Sequence, residues 1–357
     1  MGTSERVVVA MSGGVDSSVA AALVVEAGHE AIGVTLQLAG SASRCCSLAD
    51  ADDARRVAER LGIRFFVANY KKRFDREIKQ AFADAYLAGR TPIPCVSCNS
   101  RFKFEYLLER ARVFGAERVV SGHYARVDRD AASGRYRLRR ALDRDKDQTY
   151  FLFELTQEQL AAVDFPLGGH TKAAVRDEAR RLRLFTAEKP ESQEICFVPD
   201  GDYAAAVERI RPDRLPGEGD IVDTQGRRVG RHAGVHRFTV GQRRGIGVAT
   251  GDRIYVTRID AEHNRVVVGE RAALLSSGAE LEGVNWIAGE IPTQPVPCRV
   301  RIRYRDGGTD ARVVPGSNGR ARVEFSEPVA AVAPGQAAVF DHGDVVLGGG
   351  WIARATL

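Results

Sequence analysis

Residues 7–21, VVVAMSGGVDSSVAA, join an apolar run to a pair of glycines and a cluster of hydroxyl and carboxyl side chains. The apolar run reads as a buried strand and the residues from Val15 onward as a helix, with Ser12, Gly13 and Gly14 as the turn between them. Glycines let backbone approach a phosphate closely, and a helix N-terminus offers unpaired N–H groups and a favourable dipole. Ser17 and Ser18 add hydroxyl donors at that end. Asp16 would repel a phosphate, so a magnesium ion is its expected partner. No lysine follows the glycines as in G-x-x-x-x-G-K-[ST], and the run does not fit G-x-G-x-x-G. The chemistry on offer is nucleotide phosphate binding by a loop of another type. The plain alternative is a strand-to-helix turn that binds nothing.

Six cysteines stand at 45, 46, 95, 98, 196 and 298. In an intracellular chain of this size they are not expected to build a disulfide framework. Cys95 and Cys98 lie in TPIPCVSCN, residues 91–99, a C-x-x-C spacing just before an expected helix. The dipole there favours thiolate, Arg101 and Lys103 add positive charge, and Asn99 is the expected cap. A structural zinc site needs four protein ligands, and a single C-x-x-C pair does not supply them. Cys196 lies in KPESQEICFVPD, residues 189–200. Beside Ile195 and Phe197 it is either a nucleophile or a buried core thiol. Cys45 and Cys46 are assigned no role, and Cys298, at the start of an expected strand, is expected to pack.

These residues need a scaffold, and the pattern supplies one. The first two hundred residues alternate short apolar runs with amphipathic stretches, which predicts a parallel sheet covered by helices. Strands are expected at 7–10, 31–38, 64–68 and 117–121, the last ending at Gly122 and His123. Helices are expected through 27 and over 48–61, 74–88 and 101–114. Beyond Asp200, Gly and Pro punctuate short β runs, including RIYVTRIDAEHNRVVVGE, a hairpin turning at 261–264. From about Leu281 only short strands remain, which suggests a small barrel. The expected division is 1–203, 204–280 and 281–357. In CRVRIRYR alternate arginines are expected on one face, at period two.

Composition sets bounds. A chain of 357 residues with 44% hydrophobic and 28% charged residues is an ordinary globular protein of two or three domains. No apolar run approaches the roughly 20 residues needed to span a bilayer. The first residues lack the basic and apolar regions of a secretory leader, so a cytoplasmic location without a membrane partner is expected. The net charge of +5 permits a nucleic-acid partner without demanding one. Only seven of the 52 basic residues are lysine.

Taken together, AMSGGVDSS, CCSLADADDAR, PCVSCNSRFKF, SGHYAR, DKDQTYFL, SQEICF, FTVGQRRG and PGQ resemble, in order and rough spacing, the tRNA-specific 2-thiouridylases. The resemblance spans essentially the full length, and its first motif is similar to the loop of the ATP pyrophosphatase (PP-loop) superfamily. It implies a Rossmann-like α/β PP-loop domain, a small α+β domain and a C-terminal β-barrel. It further implies that Ala10, Met11, Ser12, Gly13, Gly14, Val15, Asp16 and Ser17 hold the phosphates of ATP, with Leu36 at the adenine and Gly122 at the nucleotide. Cys98 matches the family's first catalytic cysteine and Cys196 the carrier of a persulfide. Thr91, Pro92 and Ile93 would lie at the target base. His123, Lys146, Asp147, Gln148, Arg303, Tyr304 and Gln336 fall at positions associated with tRNA contacts. The implied substrate is the wobble uridine of Lys, Glu and Gln tRNAs, with sulfur delivered through a cysteine desulfurase or sulfur-relay protein. Many relatives carry aspartate where this chain has Cys95. Three thiols, Cys95, Cys98 and Cys196, would suit an iron–sulfur cluster with one open site, so persulfide relay and cluster-borne sulfide both stand. Another PP-loop amidating or ligating enzyme and a non-catalytic, nucleotide-gated RNA-binding protein are the remaining readings.

Overall fold

A computed structural model describes residues 4–38, 47–191, 195–248 and 253–356. Cys45, Cys46 and Ser192–Glu194 of the SQEICF motif lie outside the described residues. Five parallel strands open the chain: β1 (Arg6–Ala10), β2 (Glu30–Gln37), β3 (Arg64–Asn69), β4 (Arg118–Ser121) and, later, β7 (Val163–Asp164). Their order is β3-β2-β1-β4-β7. β2 is buried at every position after its first residue, as expected for an inner strand covered on both faces, whereas β3 forms one edge and is largely exposed. Helix α1 (Val15–Glu26) follows β1, and α2 (Leu48–Leu61) follows β2. A capping box between Ser47 and Asp50 starts α2, and Gly62 in the left-handed region stops it.

The chain leaves β1 for β2 on one side and reaches β4 on the other. The carboxyl ends of β1 and β4 therefore bracket a topological switch point, where parallel α/β sheets bind ligands. The glycine turn and Gly122 are both there.

The helix over 71–87 and the helix over 94–113 pack beside this edge, each containing a π-helical stretch. Pro94 occupies the first turn of the second helix. Proline needs no donor partner there and its φ is already helical, so the helix starts several residues before the expected 101.

Strands β5 (Ala125–Arg129) and β6 (Tyr136–Arg140) form a hairpin that does not join the parallel sheet. Four strands, β8 (Gly219–Val222), β9 (Arg228–His232), β10 (Tyr255–Asp260) and β11 (Arg265–Gly269), make a separate sheet around Ile221, Val256 and Val266. The expected hairpin is β10–β11, with Asn264 at positive φ in its turn. The last six strands are β12 (Leu275–Trp286), β13 (Val296–Arg301), β14 (Thr309–Pro315), β15 (Ala321–Ala330), β16 (Ala337–His342) and β17 (Val345–Thr356). They close into an antiparallel barrel through β12–β17 pairing. β12 runs unbroken across the expected junction at 281. The β5–β6 hairpin attaches to this barrel through β17, with Val345 opposite Arg139 and Val346 opposite Leu138. Among the described residues, no helix is long and apolar enough to cross a membrane.

Candidate functional site

The glycine turn is built by exclusion of side chains. Gly13 has φ +73°, and a Cβ there would lie 2.1 Å from the Asp50 carbonyl oxygen at the start of α2. Gly122 has the matching constraint: its Cβ would lie 2.7 Å from the Ser17 nitrogen in the first turn of α1. The end of β4 thus backs directly onto the loop. The hydroxyl of Ser17 accepts from the Ser12 N–H (3.1 Å), and Ser18 Oγ donates to the Gly14 carbonyl (2.8 Å). Thr35 on β2 donates to the Met11 carbonyl (2.5 Å), and Leu36 beside it is buried in the sheet's core. Replacing Gly13 by alanine combines backbone strain of about 1–3 kcal/mol with a clash against backbone. Thermal unfolding of that variant is expected well below wild type, and an unchanged melting temperature would contradict the packing.

Lys172, Lys189 and Glu191, which the sequence reading did not single out, surround this turn together with Lys146. Lys172 Nζ donates to both Asp16 oxygens (2.7 and 2.9 Å) and to Glu191 (2.7 Å). Lys189 Nζ donates to the Gly13 carbonyl (3.0 Å), Asp50 (2.9 Å) and Asp53 (2.7 Å). Lys146 holds the other side of Glu191 (2.8 Å). Tyr124 completes the set by donating its hydroxyl to Asp16 (2.9 Å), and burial, then the Asp16 charge, push its phenol upward. Burial works against an ionised Glu191, but the two lysines outweigh it and hold the carboxyl down at about 2. One signal for these residues was in the composition. In a chain that uses arginine almost everywhere, three of its seven lysines meet at this loop. A compact ammonium suits a point charge where a planar guanidinium does not.

Asp16 therefore carries a cationic partner from the protein itself. Asp16 is the carboxylate that would hold a magnesium ion arriving on nucleotide phosphates, where it would neutralise charge. Magnesium is commonly bound by one or two carboxylates plus phosphate oxygens, so this donor set fits. Among the described residues no three His, Cys, Asp or Glu side chains gather closely enough to hold a metal ion, and Cys95, Cys98 and Cys196 are no exception.

Cys98 lies one turn inside the helix over 94–113, half-buried against the main core. The cap position belongs to Ile93, which places Cys95 rather than Cys98 in the first turn. Asn99 is not a cap: it is buried, its Nδ2 donates to the Phe151 carbonyl (3.3 Å) and its Oδ1 accepts no bond. Cys196 is also half-buried against that core. A run of aromatic rings connects the two neighbourhoods. Phe102, one turn beyond Cys98, meets Phe74 at 5.6 Å, and Phe74 meets Phe197 at 5.9 Å between centroids. Cys298 sits on β13 in the barrel, where burial and Asp341 push its thiol up to about 12, a packing role.

The expected base-contacting loop is strapped to the barrel. Thr91 N–H donates to the Pro334 carbonyl (2.8 Å), and Gln336 Nε2 donates to the Thr91 carbonyl (2.9 Å). Pro92, Ile93 and Ser97 line a cavity of about 250 Å³ with Arg90, Glu282 and Trp351.

The expected tRNA-contacting residues divide. Arg303 is exposed and tied by its guanidinium to the Ala330 and Ala331 carbonyls, with Tyr304 beside it, half-buried against Phe151 at 4.5 Å. Lys146 is partly exposed but ion-paired, and Gln148 spends its side-chain oxygen on the Tyr124 N–H (2.9 Å). Asp147 and His123 do not present themselves to a polyanion. Asp147 is 3% exposed and accepts from Arg140, the Ala141 N–H and Thr149. His123 is buried between Phe104 and Phe165 and paired with Ser121 Oγ (2.8 Å). Burial, helped by Lys103, holds its pKa well below the usual imidazole range, so the ring is neutral. The period-two arginine face also fails, because β13 ends at Arg301 and that side chain is 1% exposed, covered by the segment carrying Asp147.

Residues 5–200 match the family described as tRNA methyl transferase HUP domain, residues 206–270 the tRNA methyl transferase PRC-barrel domain, and residues 276–352 the aminomethyltransferase beta-barrel domain. A protein of Solibacter usitatus called tRNA-specific 2-thiouridylase MnmA is 50% identical, covering 98% of this chain and 99% of its own. Proteins of the same name from Geotalea uraniireducens and Geobacter metallireducens are each 50% identical over 98% of this chain, and 96% and 97% of their own. This chain belongs to the MnmA family of tRNA-specific 2-thiouridylases.

Proposed function

We propose that the chain is an ATP-dependent tRNA uridine 2-sulfurtransferase that converts the wobble uridine of Lys, Glu and Gln tRNAs to 2-thiouridine. The observation that carries this reading is the attachment of the Cys196 segment to the glycine turn through Lys189 and Gly13 (3.0 Å). It links the residue expected to carry sulfur with the loop expected to grip ATP.

The reaction needs both. A uridine C2 carbonyl is a poor electrophile, and its oxygen a poor leaving group. Attack of that oxygen on the α-phosphorus releases pyrophosphate and leaves an adenylate from which AMP departs readily. The turn's N–H groups, Ser12, Ser17 and the nearby lysines neutralise charge during this step. The terminal sulfur of a Cys196 persulfide then attacks C2 and expels AMP, joining the base to Cys196 through a disulfide-like bond. Cys98 thiolate attacks the Cys196 sulfur, and the electron pair of the broken S–S bond becomes the C2 thiocarbonyl. A Cys98–Cys196 disulfide is left, which a cellular dithiol must reduce before a desulfurase relay recharges Cys196. The base leaves its stack at modest cost, because the anticodon loop is single-stranded.

Asp16→Asn tests the nucleotide half. Losing the partner of Lys172 should slow pyrophosphate release by about 10²-fold while tRNA affinity stays within a factor of two or so. Pyrophosphate release at the wild-type rate would remove Asp16 from the adenylation step.

A further inference from the structure

The ion pairs at the glycine turn form two clasps on one short stem. Lys189 grips the turn and α2 through Gly13, Asp50 and Asp53. Glu191, two residues on, grips Lys172, which in turn holds Asp16. The Lys172 side chain is only 12% exposed, so its ammonium has little access to water as an alternative partner. Four residues separate Glu191 from Cys196, five steps along the chain and at most about 18 Å when extended. The position of the thiol is thus tethered to two lysines whose ammoniums lie within one hydrogen bond of the phosphate-binding motif.

Four carboxylates, Asp16, Asp50, Asp53 and Glu191, share three ammoniums, Lys146, Lys172 and Lys189. A polyphosphate brings further negative charge and oxygen acceptors into this group. It competes for Lys172 and Lys189 with the carboxylates that anchor the stem. Interactions shared in this way make two events interdependent, since any ligand that draws on a common partner changes the affinity of the other.

We propose that Lys189 and Glu191 are positioning residues that couple nucleotide phosphates to the Cys196 sulfur, through the shared ammoniums of Lys172 and Lys189. This rests on the nucleotide-binding and Cys196 roles given above and assigns neither residue a bond-making step. Nucleotide binding draws Lys172 from Glu191, and Lys189 from Asp50 and Asp53, toward the phosphates, and the stem moves with them. The thiol is therefore in one position before the phosphates arrive and in another while they are held. An uncharged side chain at 191 leaves the nucleotide site standing but disconnects it from the thiol.

The test uses the full-length protein and α,β-methylene-ATP, which cannot be split at the reacting bond. Calorimetry gives its affinity, and peptide mapping gives the rate at which iodoacetamide alkylates Cys196. In wild type the analogue should change that rate by about fivefold or more, the lower end of ordinary coupling between sites. In Glu191→Gln the analogue should still bind within about threefold of wild type while the response falls below about twofold. Glu191→Asp, which keeps the charge, should restore part of the response. Kinetically, Glu191→Gln should lower kcat for thiolation with KM for ATP nearly unchanged, a split that a merely destabilised protein does not show. If the analogue binds wild type without altering Cys196 alkylation, the proposal is overturned and the nucleotide reading survives. If Glu191→Gln responds as wild type does, the coupling does not run through Glu191 and the proposal is again overturned. If the analogue does not bind wild type at all, the nucleotide reading fails and takes the proposal with it.

Discussion

Cys196→Ser is expected to bind tRNA and release pyrophosphate from ATP yet form no 2-thiouridine, a loss of about 10³-fold or more. A serine oxygen cannot carry a sulfane sulfur, so the step after adenylation has no donor. Cys98→Ser should lose product to a similar degree, but for a different reason: the base remains joined to Cys196, and a tRNA adduct accumulates that added thiol reductant releases. Nucleoside analysis of the tRNA, with mass measurement of the protein, distinguishes the two. Cys95→Ser is the informative control. A three-thiol cluster would require Cys95, whereas the persulfide route does not, and the structure does not assemble the three thiols into a metal-binding group. Cys95→Ser should therefore retain most activity. Full thiolation by Cys196→Ser would end the persulfide assignment, and an inactive Cys95→Ser that still folds would reopen the cluster. A protein that merely binds RNA would show no product to lose.

Arg301→Ala is expected to be the most destabilising single change outside the apolar core, by about 3–5 kcal/mol. Arg301 reaches from β13 to Asp341 on β16 (2.5 and 3.1 Å), to Asp147 (3.3 Å) and to the Thr149 hydroxyl (3.2 Å). All four side chains are buried. The arginine therefore ties the barrel to the segment between the β5–β6 hairpin and β7. Removing it strands the buried Asp341 carboxylate, whereas Asp147 keeps its bonds from Arg140 and the Ala141 N–H. Burial already pushes the Asp341 carboxyl above the usual aspartate value, with Arg301 opposing that shift. A carboxyl raised in the folded state stabilises fully below its unfolded pKa, and this contribution is lost as pH rises through the folded value. Without Arg301 the raised value climbs further. The stability deficit of the variant should then shrink as pH falls from about 8 to about 5, because protonated Asp341 tolerates burial. Denaturant unfolding at several pH values reads this directly. A deficit below about 1 kcal/mol, or one that grows on acidification, would show that the network does not hold the domains together.

The elements that position the site were legible because their causes are local. The strand 7–10, the glycine turn and the helix after it follow from apolar spacing and from residues adjacent in the chain. α2 spans Leu48–Leu61 as its periodicity predicts, started by its own Ser47–Asp50 box. Asn99 was misplaced by the same local logic: it resembles a cap, but Pro94 had already begun the helix and Asn99 turned inward. The parallel sheet and the terminal barrel were readable from their patterns. The attachment of β5–β6 to the barrel was not, since a hairpin's own sequence does not say which sheet edge it will meet.

The sequence by itself determined which residues could do the chemistry: a glycine turn for phosphates, two distant cysteines for sulfur, and a family pattern joining them. Only the tertiary structure decided which charges stand beside them. The Lys172–Asp16 and Lys189–Gly13 bonds span 156 and 176 residues, and Arg301–Asp147 spans 154. The same long-range packing turned His123 and Asp147 from expected RNA-facing groups into buried ones, and buried Arg301 of the expected arginine face. Backbone preference and hydrophobic period act over a few residues and are written in neighbouring letters. Burial and ion pairing depend on what the rest of the chain brings alongside, and no local pattern records that.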